Sequence, residues 1–321
     1  MEEANCAICG PGGRAENFLQ ARPGESLFSY MRCSACGLVF MNPRPVAAEM
    51  LRFYDGDYYG EGDRKFSSGV EVLRRFFARE RARRARRHFP SPGKVLDVGC
   101  GQGTFLRLMQ GKGWKGHGTE LSPRSASRAI QAGLSVSVGE IRENQFPPDY
   151  FDLITFWQVL EHLRDPAAVL QRIRPLLRRG GIVAISTPNV ESWQARTFRG
   201  DWFHLDAPRH LFLFSPRTLE TFMAAHGFRL LTLSHFCWEQ NPYGWLQSFL
   251  NRVGFSSNSL YTLIKEAPSN RERPFALGQK SQILFWSAAL LPLCVLLSGV
   301  TGIARRGGTI EAYFRLQEVQ D

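Results

Sequence analysis

The stretch Lys94-Val95-Leu96-Asp97-Val98-Gly99-Cys100-Gly101-Gln102-Gly103 decides the fold. A short apolar run carries Asp97 near its end and passes into a turn with three alternate glycines. Residues 104–110 then read as a helix. Working outward, residues 115–119, 135–138, 151–156 and 182–186 read as further strands. Helical segments at 123–132 and 166–178 lie between them. Strands alternating with helices predict a parallel sheet covered by helices on both faces. Residues 215–225 form another helix, with Ser215 as cap, Pro216 in its first turn and Gly227 past its end. Residues 228–236 and 309–316 supply the last strands. The expected class is α/β: a Rossmann-like, doubly wound, mostly parallel sheet of seven strands, the last antiparallel.

Open sheets of this kind bind ligands at the carboxyl ends of their strands. Glycines let the backbone approach the ligand, and a helix N-terminus lies beneath. Gly99, Gly101 and Gly103 are therefore expected to touch a cofactor. Asp97 argues against a dinucleotide, because a carboxylate would repel a pyrophosphate. It suits S-adenosylmethionine (SAM), which has no phosphate and carries an amino group and a sulfonium. Glu120, ending the second strand, is placed to accept from both ribose hydroxyls.

Residues 90–236 resemble class I SAM-dependent methyltransferases, above all the branch that includes the ubiquinone-pathway O-methyltransferases. Residues 94–103 match its first motif, Glu120 its ribose acid, and Phe151-Asp-Leu-Ile-Thr-Phe-Trp-Gln-Val-Leu-Glu-His-Leu163 its fourth-strand motif. The resemblance implies an adenine contact at Gly139-Glu140 and places Gln158 at the cofactor. Some relatives hold a divalent cation with two glutamates and a histidine here. This chain keeps Glu161 and His162 but has Gln158 for the first glutamate. An amide is a poorer ligand for a hard cation, so that metal is not expected.

Methyl transfer to a hydroxyl needs a base. His210 is the first candidate, with His162 and His204 beside it; Glu161 and Asp206 are the nearby acids. Residues 201–210, rich in aromatics, His and Arg, are the expected acceptor lid. The expected reaction is O-methylation of a small or lipid-linked acceptor, such as a glycan precursor or a quinone- or phenol-like ring. RNA methylation is an alternative favoured by the charge. No Asn-Pro-Pro-aromatic motif follows the fourth strand, so nucleic acid is disfavoured. A non-catalytic zinc-ribbon binding protein is the third reading.

Cys6-Ala-Ile-Cys9-Gly10 and Cys33-Ser-Ala-Cys36-Gly37 form two knuckles. Four thiolates complete a closed tetrahedral zinc site, which is structural because it has no open position. With the following Leu38–Pro45 stretch, Phe53-Tyr54 and Tyr58-Tyr59, this part resembles zinc-ribbon methyltransferases of bacterial glycan and secondary-metabolite pathways. The expected domains are a ribbon over 1–45, a basic helical connector over 46–92, and a methyltransferase domain over 93–321 with an apolar insertion at 240–306.

The formal net charge is +11 and there are seven cysteines. The charge favours acidic partners. The scattered cysteines beyond the knuckles, and a start without basic or apolar character, lead to a cytoplasmic expectation. Residues 283–304 contain no charged residue. If residues 309–316 complete the sheet, both ends of the insertion at 240–306 lie on one side of any membrane, which excludes a single span. A re-entrant or in-plane hairpin kinked at Pro292 and Gly299–Gly302 is then expected, with basic flanks and the Arg-rich segment 74–87 on an anionic inner surface.

Overall fold

The protein was analysed as a computed structural model that describes residues 1–11, 13–21, 26–53, 68–255, 258–264 and 275–317. Tyr54, Tyr58 and Tyr59 lie outside them. In chain order the elements begin with strands β1 (Ala15–Ala21), β2 (Phe28–Cys33) and β3 (Val39–Met41), then helices α1 (Ala47–Arg52) and α2 (Ser68–Arg86). There follow β4 (Lys94–Val98), α3 (Thr104–Gln110), β5 (Lys115–Glu120), α4 (Pro123–Gln131), β6 (Ser135–Val138), β7 (Phe151–Trp157), α5 (Pro166–Ile173) and β8 (Leu177–Pro188). The remainder is α6 (Trp193–Phe198), β9 (Phe212–Leu213), α7 (Pro216–Ala225), β10 (Phe228–Ser234), α8 (Asn241–Arg252), α9 (Ser259–Ile264), α10 (Leu277–Ile303) and β11 (Thr309–Leu316). The chain divides into two compact units. One gathers Met1–Leu73, Pro188–Ser215 and Ser234–Ile310; the other gathers Arg74–Thr187, Pro216–Leu233 and Glu311–Asp321.

The second unit is built on the expected seven-stranded sheet, in the order β10-β11-β8-β7-β4-β5-β6. β4 pairs in parallel with β5 and β7, β5 with β6, and β7 with β8. The last strands run antiparallel. β7 is buried from end to end, which explains its apolar run. The crossover helices start where capping chemistry dictates. Ser122 accepts from the Ser125 N–H at 3.3 Å and Asp165 from the Ala168 N–H at 2.9 Å, each followed by proline. On α2, Ala78, Ala82 and Ala85 are buried at helical spacing. Arg84 on the same helix reaches Glu311 at 2.8 Å, and the Tyr313 hydroxyl donates to the same carboxylate at 2.7 Å. Part of the Arg-rich helix is thus bound to the last strand, while Arg75, Arg79, Arg83 and Arg87 form an exposed row four residues apart.

The first unit holds a four-stranded sheet in the order β1-β2-β3-β9. The N-terminal strands are antiparallel, and β9 joins them with Val39 opposite Leu213 and Phe40 opposite Phe212. Helix α10 packs along α8. The expected break at Pro292 and Gly299–Gly302 does not form; residues 277–303 are one helix. Pro292 removes a single N–H from a helix of 27 residues. A buried stripe of Ile283, Cys294, Ser298 and Thr301 holds both halves to one face.

Candidate functional site

The glycine turn after β4 sits at the carboxyl end of the sheet. Gly99, Gly101 and Gly103 all have left-handed backbones, with φ of 70°, 56° and 73°. Their roles differ. A Cβ on Gly99 would come within 2.7 Å of Val159, and one on Gly103 within 2.1 Å of Leu134. Those two glycines are required by the protein's own packing. A Cβ on Gly101 would meet nothing within 4 Å, so this is the turn residue that faces open space.

Two carboxylates flank the turn. Glu120 accepts from the Gly101 N–H and from the Ser122 N–H, each at 2.8 Å, so the carboxylate and the turn are locked together. Asp97 is buried and accepts from the Thr155 hydroxyl at 2.6 Å. Thr155 is its register neighbour on β7. Burial pushes the Asp97 carboxyl up to about 7, against the Thr155 hydrogen bond and the positive charge of Arg81, which pull it down. The guanidinium of Arg81 also lies 5.1 Å over the Trp157 ring. Thr155 and Arg81 escaped the sequence reading. Each is defined only by register or by helix docking.

Gly139 continues this surface. Its N–H donates to the Glu120 carbonyl at 2.8 Å, its φ is 105°, and a Cβ there would meet open space. Glu140 follows, 3.5 Å from Arg172, and both line a cavity of about 440 Å³ with Gly139, Ile141, Arg142 and Glu143. Gln158 has a φ of 57°, uncommon for a side-chain-bearing residue. Its N–H donates to the Ser186 carbonyl at 2.8 Å and its amide to the Ser186 hydroxyl at 2.9 Å. Local strain of this kind persists where surrounding structure fixes it. His162 closes a single 3₁₀ turn after this residue, beside the buried Glu161.

His204 and His210 belong to the first unit. His204 is buried, and burial lowers its pKa to about 4, so it is neutral at ordinary pH. A Cβ on Gly244 would reach within 2.6 Å of its Nε2. The His210 Nδ1 is 2.8 Å from the His204 carbonyl, and its Nε2 is 3.8 Å from Asp206, which also forms a forked pair with Arg209. The Tyr30 hydroxyl spans the carbonyls of His210, at 2.8 Å, and Leu205, at 3.2 Å. A strand of the ribbon therefore clamps the 201–210 loop.

The four knuckle cysteines converge, with sulfurs within 4.8 Å of one another. All are free, and the Cys6 and Cys36 sulfurs are 3.5 Å apart. Tetrahedral Zn–S bonds of ~2.3 Å place sulfurs ~3.8 Å apart, so the cluster fits a zinc ion. Gly10 and Gly37, with φ of 69° and 82°, turn the two knuckles. Gly13 leaves room beside them, since a Cβ there would lie 3.2 Å from the Cys33 sulfur.

With this geometry in hand, the comparisons with known proteins agree. A family model described as "Methyltransferase domain" matches residues 70–233, just over half of the chain. The chain belongs to that methyltransferase family. It is 37% identical over 109 residues to a ubiquinone biosynthesis O-methyltransferase of Yersinia pestis (strain Pestoides F), covering 31% of this chain and 45% of that protein. To the enzyme of the same name from Aeromonas salmonicida (strain A449) it is 34% identical over 103 residues, covering 30% of this chain and 43% of that one. The chain thus spans less than half the length of these relatives. Among solved structures, a Galdieria sulphuraria protein assigned as a sarcosine dimethylglycine methyltransferase superposes with a TM-score of 0.50 at 17% identity, covering 83% of this chain and 97% of that one. That likeness shows the fold.

Proposed function

We propose that the chain transfers a methyl group from SAM to the oxygen of a small or lipid-linked acceptor, a glycan precursor or a quinone- or phenol-like ring. One observation carries the SAM reading. A buried carboxyl, Asp97, and a carboxylate locked by two backbone N–H groups, Glu120, flank a glycine open to space. Glu120, held at the end of β5 by two backbone N–H groups, is the acceptor proposed for the ribose hydroxyls. Asp97 answers the cationic amino acid end of the ligand. Gly101 lets the backbone approach, Gly139 and Glu140 take the adenine side, and Gln158 is assigned to the cofactor from its place after β7. Gly99 and Gly103 hold the turn's shape.

Bound SAM supplies an electrophilic methyl on sulfur. The residues of the chain then need only align the nucleophile and exclude water. A hydroxyl acceptor taking that methyl group would have to give up its proton to a base. His210 is the proposed base, with His162 and His204 as the other candidates. Cys6, Cys9, Cys33 and Cys36 hold a structural zinc that fixes the ribbon strands. The ubiquinone-pathway names of the relatives support a ring hydroxyl as acceptor.

The test is to incubate purified protein and methyl-labelled SAM with a lysate of the parent organism, then partition the products. Label in small molecules or the organic phase, absent with Asp97→Ala, is the expected result. Label in RNA would overturn the acceptor reading. Absence of SAM binding by the unaltered chain would overturn the enzyme reading.

A further inference from the structure

Helix α10 presents a surface that methyl transfer does not explain. It has 27 residues, and most of its apolar surface is exposed. Its buried positions, Ile283, Cys294, Ser298 and Thr301, follow one stripe. The exposed positions lie on both flanks and on the opposite face. They include Leu284, Phe285, Trp286, Leu291, Leu296 and Val300, with Phe285 66% and Leu296 63% exposed. No charge interrupts residues 281–304.

We propose that α10 is a lipid anchor, its exposed faces dissolved in the hydrocarbon of a bilayer. Four observations select lipid over a second protein chain. First, a partner helix covers one seam of a helix, a narrow stripe, and leaves the flanks polar. Here both flanks are apolar, as a surface wetted by lipid on all free sides requires. Second, 27 residues make an apolar rod of about 40 Å at ~1.5 Å per residue, a long surface to lay into one leaflet, since the insertion at 240–306 begins and ends on one side of a bilayer. Third, three of the helix's four hydroxyls bond to its own carbonyls, Ser287 being the exception. The hydroxyls of Ser298 and Thr301 donate to the Cys294 and Leu297 carbonyls at 2.7 Å, and Ser281 donates to Gly278 at 2.8 Å. Fourth, the charges lie at the ends. Lys280 is in the first turn, and Arg305 and Arg306 follow the last, as anionic headgroups favour.

The anchor is fixed to its unit at one end. Asn241, which opens α8, accepts from the Thr309 N–H at 3.1 Å and donates to the His235 carbonyl at 3.0 Å. The start of α8 and the exit from α10 therefore meet at one point. This inference holds whichever acceptor is methylated.

The experiment is flotation of the full chain with phosphatidylglycerol–phosphatidylethanolamine vesicles, followed by a wash in molar salt. The unaltered chain is expected to float and to stay bound through the wash. The double substitution Phe285→Glu with Leu296→Glu should float at least about tenfold less, because charge is costly in hydrocarbon. Its melting temperature and SAM affinity should be unchanged, since neither side chain is buried. Brominated lipids should quench tryptophan fluorescence, and Trp286→Phe should remove part of that quenching. Binding lost in high salt would mean adsorption by the arginines and would overturn the anchor. So would undiminished flotation of the double variant, or a vesicle-free dimer that the same substitutions dissociate.

Discussion

The two units solve the problem of stability differently. The sheet unit is mostly one continuous stretch, residues 74–187, in which β4, β5 and β7 are each followed by a helix. Its core is apolar, with β7 buried throughout and alanines of α2 packed beneath. The ribbon unit gathers three distant stretches and rests on different chemistry. Four cysteine sulfurs meet at one end, and elsewhere a buried polar cluster places Gln194, His204 and Asn241 around α8. Local burial of apolar surface suffices for the first. The second has a buried apolar core too, including Tyr30, Phe40, Phe198 and Trp245, and adds directional contacts between residues far apart in sequence. Its failure should therefore be more abrupt when one contact is removed.

The sharpest test of this contrast is Cys33→Ser. It should abolish bound zinc, measured by metal analysis, and unfold the ribbon strands, since structural zinc contributes on the order of 10 kcal/mol in small zinc folds. Ribbon strands that keep their amide protection without metal would erase the distinction. Next come two matched glycine substitutions. Gly103→Ala forces a side chain into a left-handed backbone against Leu134, and Gly244→Ala drives one to 2.5 Å from Gln194 and 2.6 Å from His204. Each should cost about 3 kcal/mol by denaturant melting, the first with loss of SAM binding by calorimetry.

Arg84→Ala strands the Glu311 carboxylate, 1% exposed, beneath α2. About 2 kcal/mol is expected, below the figure for fully buried pairs because Arg84 is 24% exposed. The effect that is smallest per step is a matter of pH, at most about 1.4 kcal/mol for each unit. Asp97 titrates near 7 in the folded chain and at 3.8 without the fold. Between those values the folded state holds a proton that the unfolded chain has released. Stability should therefore fall as pH rises through that window and level off above it. Asp97→Asn should remove a slope of at most about 1.4 kcal/mol per pH unit across that window, read as melting temperature against pH. A slope unchanged in that variant would mean that another group carries it.

Much of the candidate site was legible. The helix at 104–110 and the strands at 135–138 and 309–316 have the bounds expected from periodicity. Asp97, Glu120 and the glycines stand together because a strand, a tight turn and a helix start are local events. The three glycines, all expected at the cofactor, differ in what a Cβ would meet. Gly101 faces open space, and Gly99 and Gly103 make room for Val159 and Leu134. Arg81 and Thr155 were invisible because helix docking and strand register bring them to Asp97, and neither leaves a motif.

The sequence alone determined the alternation that makes a parallel sheet, the carboxylates at its strand ends and the paired cysteine knuckles. Each rests on spacing within a few residues, where backbone geometry leaves little choice. Tertiary structure alone decided that Tyr30 of the ribbon clamps the loop at 201–210, that β9 completes the ribbon sheet, and that α10 runs unbroken through Pro292. Those outcomes depend on which distant surfaces meet. That choice is set by packing and by the pairing of buried polar groups, not by the local preference of any one stretch.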